Sequence, residues 1–464
     1  MSAGLLEKES TGGAVARVGF GYQDAFVLQH MPQWLSQGAF SHVVSEALGD
    51  VEVCYFAPGG GVIRVLHEAK DYALSSTEFW KEIDRFMAIH NTSPAEFPHF
   101  VMVCRSYNGA TAPLLAMLER LRGVGASFPA DSVFLTDARR KVVEWVVNKG
   151  QPATVAEFVM DHVHFVTYAS EHADAAFPGE VDNWLPSLNL RAKESAALRE
   201  RCKELTARSS SGPVHRNDIE ATVVEALGED AARWTLYPTR VHLLKNAVPV
   251  EELGLDVSAF NGPDRAARTE AEWHELALVM GDIGEFVKNS RPRRCVALDG
   301  KQRMSLSCLM GYTFGATRGF ILEIEHNGHI YRTDCHERAD GPFFVETQKQ
   351  GITIDREGVA CVGFPTPVGN DVELVAGGGL AALPRLGLTS PLAIDGVATL
   401  NLAIAEAKAA LVRFRSENRL DRLHLFIKAP SIYAMALGHR LNGIGAVQLY
   451  DWVEGKYLDT AVLY

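Results

Sequence analysis

The sequence predicts an α/β protein built from two principal domains, and three observations carry that expectation. Between 290 and 464, short apolar runs alternate with helical patterns. That order builds α/β units around a mostly parallel sheet. Between 50 and 70, the alternating runs DVEVCYF and VIRVLHEAK flank the turn cluster APGGG, a hairpin signal. Between these textures stands SSSGP at 209–213, small and polar, the best domain boundary in the chain. At 464 residues the chain exceeds what one core organises, and 47% hydrophobic residues supply material for more than one.

The elements follow in order. The first 12 residues read as a flexible lead-in. GYQDAFVLQHMPQWL at 21–35 suits a helix, with Pro32 placed to kink or shorten it. After the hairpin comes a helix over 77–91, then PHFVMVC at 98–104, most simply a buried strand. Helices are expected at 111–122 and 137–148, and 151–205 reads as mainly helical. Past the boundary, helical patterns recur at 217–227 and 268–289. Then come a strand at 294–300, a helix near 303–313, and strands at 319–328 and 329–334. An irregular acidic segment separates these from a strand at 371–379, an Ala-rich helix at 395–417 and a strand at 423–430. A helix at 431–441 and a strand at 446–452 complete the chain. The expected division is 1–208, a linker and helical segment at 209–289, and 290–464. A coarse duplication within 290–464 fits the strand-to-helix turns, rich in Gly or basic residues, in its two halves.

Several function classes fall away. No run of 18 or more apolar residues exists, so no transmembrane helix and no membrane role are expected. The polar N-terminus carries no signal-peptide core. The seven cysteines are scattered and form no CxxC pair, so neither a zinc ribbon nor a disulfide framework is indicated, and a reducing cytoplasm fits. No HExxH, GxSxG or P-loop motif occurs. His67, His162 and His164 read as surface or core residues. A net charge of −12 gives nucleic-acid binding no support, although 288–303 and 413–440 are locally basic.

With the turn centred on Gly59, residues equidistant from it pair, so Asp50 lies opposite Glu68. Period-2 alternation puts Glu52 on Asp50's face and Lys70 on Glu68's. Opposed residues have Cβ atoms about 5 Å apart. Carboxylates beside a lysine suit metal-dependent phosphodiester hydrolysis: Asp50 and Glu68 would hold Mg²⁺ or Mn²⁺ through hard oxygens. Lys70 would orient the water or neutralise developing charge. A solvated hairpin face laced with an ion pair fits the same spacing, which leaves both readings open.

Asp50 with Glu68-Ala69-Lys70 resembles the PD-(D/E)xK nuclease motif. The resemblance extends to GYQD at 21–24, to Glu46 before Asp50 and to the helix around Phe79–Phe86. Together these resemble the restriction-endonuclease-like domain of antiphage effectors, over roughly 12–205. The resemblance implies supporting roles for Gln23, Glu46 and Glu52 as ligands or water-positioning groups. Glu68 stands where many relatives carry Gln, a change that bears on metal affinity.

LHLFIKAPSIYAMALGHRLNGIGAVQLYDW at 423–452 resembles the last strand–helix–strand of a SAVED domain, two fused CARF-like Rossmann units that bind cyclic oligonucleotides. RCVALDGK at 294–301 and GFILEIEHNG at 319–328 resemble its first half. Ligands of open α/β sheets bind at the carboxyl ends of strands, near helix N-termini. Those ends hold Lys301, Arg303, Lys428, Pro430 and Ser431, with Gly378 in a Gly triplet. Lys301, Arg303 and Lys428 would meet phosphates, and Tyr433 or Tyr450 would stack on a base, although Tyr450 also suits a core position.

The two resemblances form one known architecture, the double-stranded DNA endonuclease effector of the cyclic-oligonucleotide-based antiphage signalling system, CBASS. It implies a cyclic di- or trinucleotide as activator, association of protomers on binding, and metal-dependent cleavage of double-stranded DNA. The alternative is a ligand sensor whose N-terminal domain binds DNA or protein without cutting.

Overall fold

The computed structural model describes residues 16–464, except 108, 293, 353–354, 369–371, 373–374 and 376–378. The chain divides into two compact units, Met1–Trp234 and Thr235–Tyr464.

The first unit is organised by one mixed sheet. Its strands are β1 (Phe40–Ser45), β2 (Val51–Ala57), β3 (Gly61–Leu74), β4 (His99–Tyr107), β5 (Val163–Thr167) and β6 (Val214–His215). Their spatial order is β5-β4-β3-β2-β1-β6. The β2–β3 hairpin has the expected register, with Val51 opposite His67 and Tyr55 opposite Ile63. Gly59 and Gly61 turn it at φ of 72° and 102°, a region glycine enters without a Cβ clash.

One expectation about the hairpin needs correcting, because both of its faces are buried. On Glu68's face, Leu66 is fully buried against Phe79, Ile83 and Phe86 of helix Ser76–Thr92. That helix starts on a capping box, Ser75 with Glu78, and its apolar positions line one side. On the other face, Phe26 and Trp34 of helix Ala16–Ser36 pack on His67. Charges between two covered faces must satisfy each other, since unpaired buried charge is costly.

The stretch 209–289, expected as linker and helical segment, is shared between the units. Val214–His215 pairs with β1, and helix Arg216–Leu227 follows it in the first unit. There the buried Arg216 guanidinium binds the Leu35 and Gln37 carbonyls and the Glu220 carboxylate. Strands β7 (Thr239–Leu244) and β8 (Gly254–Asp256), with helix Glu270–Ser290, belong to the second unit.

The second unit holds two sheets. The first has the order β11-β10-β9-β7-β8, with β9 (Cys295–Asp299), β10 (Ile321–His326) and β11 (His329–Arg332). The second has the order β12-β14-β13-β15-β16-β17. Its strands are β12 (Val345–Lys349), β13 (Glu357–Gly363), β14 (Arg385–Thr389), β15 (Arg422–Lys428), β16 (Ala446–Val453) and β17 (Lys456–Leu463). Each sheet contains the same strand–helix–strand–turn–strand unit, one through helix Met304–Thr313 and one through helix Ser431–Arg440.

The duplication keeps a constant sequence spacing. Leu298 corresponds to Leu425, Lys301 to Lys428, Gly311 to Gly438 and Gly328 to Gly455. The closing turns Asn327-Gly328 and Glu454-Gly455 both have positive φ. Only the parallel pairing differs: Val296 faces Leu322, whereas Leu423 faces Val447, a shift of two residues.

The two repeat helices cross in close contact. A Cβ on Gly311 would stand 1.9 Å from the Met435 carbonyl oxygen, and one on Gly438 2.0 Å from that of Cys308. This reciprocal crossing joins the two halves, and only glycine permits it. Gly438→Ala is expected to force the helices apart at a cost of about 1–3 kcal/mol. Urea unfolding of the variant measures this, and an unchanged midpoint would contradict it.

Strands β1, β5, β6, β7, β8, β12, β13, β14 and β17 were not expected from the sequence. The strand expected at 371–379 falls largely outside the described residues; within it, Val375 makes an isolated bridge with Tyr457. All seven cysteines are free. Among the described residues, no helix is long and apolar enough to cross a membrane.

Candidate nuclease centre and ligand rim

The candidate nuclease centre forms where β3 runs past the open end of the hairpin. Asp50, one residue before β2, accepts the Ala69 N–H at 2.7 Å. The Lys70 ammonium lies 2.5 Å from Glu68 Oε1 and 3.7 Å from Asp50 Oδ2. Pairing of β3 with β4 loses its regular register between Lys70 and Ala73. Glu46, in the turn after β1, has φ 61° and donates its backbone N–H to the Asp50 carbonyl at 3.1 Å. Its carboxylate takes a hydrogen bond from the buried Gln23 of helix Ala16–Ser36.

Electrostatics tie the group together. Burial pushes the Asp50 carboxyl up to about 7 and the Glu68 carboxylate adds to this, against opposing effects of Lys70 and the Ala69 N–H. Burial alone would lower Lys70, yet Glu68 and Asp50 outweigh it and hold the ammonium charged above its ordinary value. Burial also raises Glu46, while the Gln23 hydrogen bond works against this.

Five of the six residues expected here, Gln23, Glu46, Asp50, Glu68 and Lys70, therefore come together. Glu52 does not. Its carboxylate is 1% exposed, accepts the Leu48 N–H and pairs with Arg64 at 3.0 Å, which holds the β1–β2 connection. Sequence reasoning missed Arg85 of helix Ser76–Thr92. Its guanidinium pairs with Glu68 Oε2, donates to the Leu48 carbonyl at 2.9 Å and pairs with Glu82 at 2.9 Å. The available signal was a basic residue flanked by the core positions Ile83 and Phe86.

Among the described residues, no group of three or more His, Cys, Asp and Glu side chains could hold a metal ion. Two hard carboxylates at Asp50 and Glu68 nevertheless fit Mg²⁺, which takes one or two carboxylates and completes its shell with waters and substrate phosphates.

The candidate ligand rim expected from the sequence belongs to the second unit, where β9 and β15 end and the two repeat helices begin. Ser431 Oγ donates to the Gly300 carbonyl, stitching the two strand-to-helix turns together. Lys301 and Lys428, at corresponding positions in the repeats, are both exposed. Pro430 caps helix Ser431–Arg440, Ser431 is its first residue, and the Tyr433 N–H closes the turn on the Pro430 carbonyl at 2.9 Å. Arg303 caps the other helix, and its Nε donates to the Asn261 carbonyl at 3.1 Å.

Tyr450 needs correcting. It is 6% exposed, its ring stacks on Phe426 at 4.2 Å, and its hydroxyl bonds His424 at 2.8 Å. Both faces serve the core of the six-stranded sheet, so no base can stack on it. Gly378 lies outside the described residues.

The fold and site define a two-part class: a PD-(D/E)xK-type nuclease unit joined to a duplicated CARF-like sensor unit. Comparison with known proteins makes this specific. Residues 11–209 match the family described as "Cap4, dsDNA endonuclease domain". Residues 281–463 match SAVED, the "SMODS-associated and fused to various effectors sensor domain". The proteins named CD-NTase-associated protein 4 from Moraxella osloensis and from an Acinetobacter species are each 49% identical over 463 residues, covering 100% of both chains. The Acinetobacter baumannii Cap4 receptor solved with the cyclic trinucleotide 3'3'3'-cAAA is 47% identical, with TM-score 0.89, covering 97% of this chain and 99% of that one. The Moraxella osloensis Cap4 structure is 46% identical, with TM-score 0.86, covering 97% and 100%. The chain belongs to the Cap4 family, a double-stranded DNA endonuclease domain followed by a SAVED cyclic-oligonucleotide sensor.

Proposed function

We propose that this chain cleaves double-stranded DNA in a divalent-metal-dependent reaction, that a cyclic trinucleotide bound at the SAVED rim switches the reaction on, and that the activity serves CBASS antiphage defence. The observation that carries the reading is the Lys70 ammonium held between Asp50 and Glu68 in a unit of the Cap4 endonuclease family. Asp50 and Glu68 are the residues that would hold Mg²⁺ or Mn²⁺. Once bound, the ion would polarise the scissile phosphate and lower the pKa of an attacking water. Lys70, kept charged by its two neighbours, orients that water or neutralises charge developing on the phosphate. Gln23 and Glu46 order the polar groups beside it, and Arg85 holds the outer oxygen of Glu68 so that its carboxylate keeps one orientation.

The activating ligand is an anion, and Lys301 and Lys428 supply paired cations on the rim. A relative's structure with a cyclic trinucleotide supports that ligand class. Activation works through association of protomers. With a net charge of −12, one copy holds a duplex poorly, and several copies side by side multiply the phosphate contacts. The ligand favours the assembly only by binding it more tightly than the free chain.

Titration with cyclic tri-adenylate, read by thermal shift and light scattering, tests the sensor half. Wild-type protein is expected to gain both stability and mass with ligand. Lys301→Glu and Lys428→Glu are each expected to raise the required concentration on the order of 10–100-fold, the worth of one charge-assisted hydrogen bond to phosphate. Unchanged curves for both would move the pocket elsewhere, and a constant particle mass would leave an intramolecular switch.

A further inference from the structure

The second unit contains another concave site, at the carboxyl-terminal end of helix Ser431–Arg440. A cleft of about 980 Å³ lies between helix Val397–Asn418 and residues 335–338, with Arg440 in its wall. The ligand rim sits at the other end of the ten-residue helix, roughly 15 Å away at ~1.5 Å rise per residue. Ile404, Ala405 and Ala409 give the cleft an apolar side, and Arg338, Lys408 and Arg440 surround it.

Charge makes this arrangement unusual. None of these three cations forms an ion pair with a described residue, in a chain that carries 57 acidic against 45 basic side chains. Arg440 donates from Nη2 to the Thr333 carbonyl at 3.1 Å. Burial depresses its pKa and the like charge of Arg338 depresses it further. Arg413, at the edge of the cleft, is by contrast paired with Glu346. Glu417 is the one carboxylate among the described lining residues. Clustered cations without counter-charge, two of them half-buried, repel one another, and an anion relieves that cost.

We propose that this cleft is a second ligand site, which takes a nucleoside phosphate with its phosphates on Arg338, Lys408 and Arg440 and its base against Ile404, Ala405 and Ala409. The volume lies within the range of small-molecule sites, roughly 300–1,000 Å³. A duplex offers a ridge of phosphates and no base face for the apolar side, so a mononucleotide fits the shape better. The site is independent of the rim, and its occupancy does not depend on cyclic-trinucleotide binding there.

Isothermal titration of the full chain with ADP and with inorganic pyrophosphate tests the proposal. ADP is expected to bind, and pyrophosphate roughly tenfold more weakly because it leaves the apolar side unused. Lys408→Glu is expected to weaken ADP roughly tenfold or more. Arg338→Glu, at an exposed position, is expected to do the same and covers the case in which the half-buried Lys408 variant fails to fold. Lys428→Glu on the rim is expected to leave ADP affinity unchanged. Failure of wild type to bind ADP, equal affinity for pyrophosphate, or loss of ADP binding in Lys428→Glu rather than in Arg338→Glu would each overturn it.

Discussion

Lys70→Ala is expected to lower DNA cleavage by at least roughly 100-fold, the loss typical when one preorganised donor to developing charge is removed. The variant is expected to fold, because Arg85 still pairs with the Glu68 carboxylate and Asp50 still accepts the Ala69 N–H. Cyclic-trinucleotide binding is expected to stay at the wild-type level, since Lys70 belongs to the first unit and the rim to the second. Plasmid cleavage with Mg²⁺ and ligand, together with a thermal-shift titration, measures both. Cleavage at the wild-type rate would remove Lys70 from the centre.

Asp50→Ala and Glu68→Ala are each expected to abolish metal-dependent cleavage, with no rescue of one by the other, because both carboxylates would hold the same ion. Titration with Mn²⁺ is expected to show weakened binding in both; full affinity in either would contradict a shared site. Asp50 also carries a pH signature in the metal-free protein. Burial and Glu68 raise its carboxyl to about 7, so folding takes up a proton between the ordinary carboxylate range and that value. The unfolded chain binds fewer protons there, so this group's contribution makes stability fall as pH rises across the window. Asp50→Asn cannot titrate and is expected to remove that fall. Urea midpoints in EDTA at about pH 5 and about pH 7.5 measure it, and the same slope in both proteins would contradict the assignment.

Parts of this site were legible in the sequence for definite physical reasons. The Gly-rich turn at 58–61 leaves little choice of register, and alternation then brings Asp50 opposite Glu68. Gln23 and Glu46 were reached by resemblance alone, because nothing in their spacing links a helix before the hairpin to a carboxylate on it. Glu52 shows the limit of alternation, which gives a residue's face and not its partner: Arg64 claims it first. Arg85 stayed hidden because its meeting with Glu68 depends on how a helix lies on a sheet.

The sensor unit shows the same division. Lys301 and Lys428 were legible because each follows an apolar strand and precedes a helix, a pattern the duplication repeats. Tyr450 was misread because its burial depends on Phe426 in the neighbouring strand and on the enclosing core, both distant in sequence. β13 escaped because EGVACVG is buried along nearly its whole length and so shows no alternation, although it lies between β14 and β15. β5 escaped because five residues after a helix extend its apolar texture without a break.

The most direct test of the central claim is plasmid cleavage by the full chain under four conditions: Mg²⁺ with cyclic tri-adenylate, each alone, and neither. Linear and then degraded DNA is expected only when both are present, and none when EDTA is added. Cleavage that proceeds equally without the cyclic trinucleotide, or that resists EDTA, would contradict it.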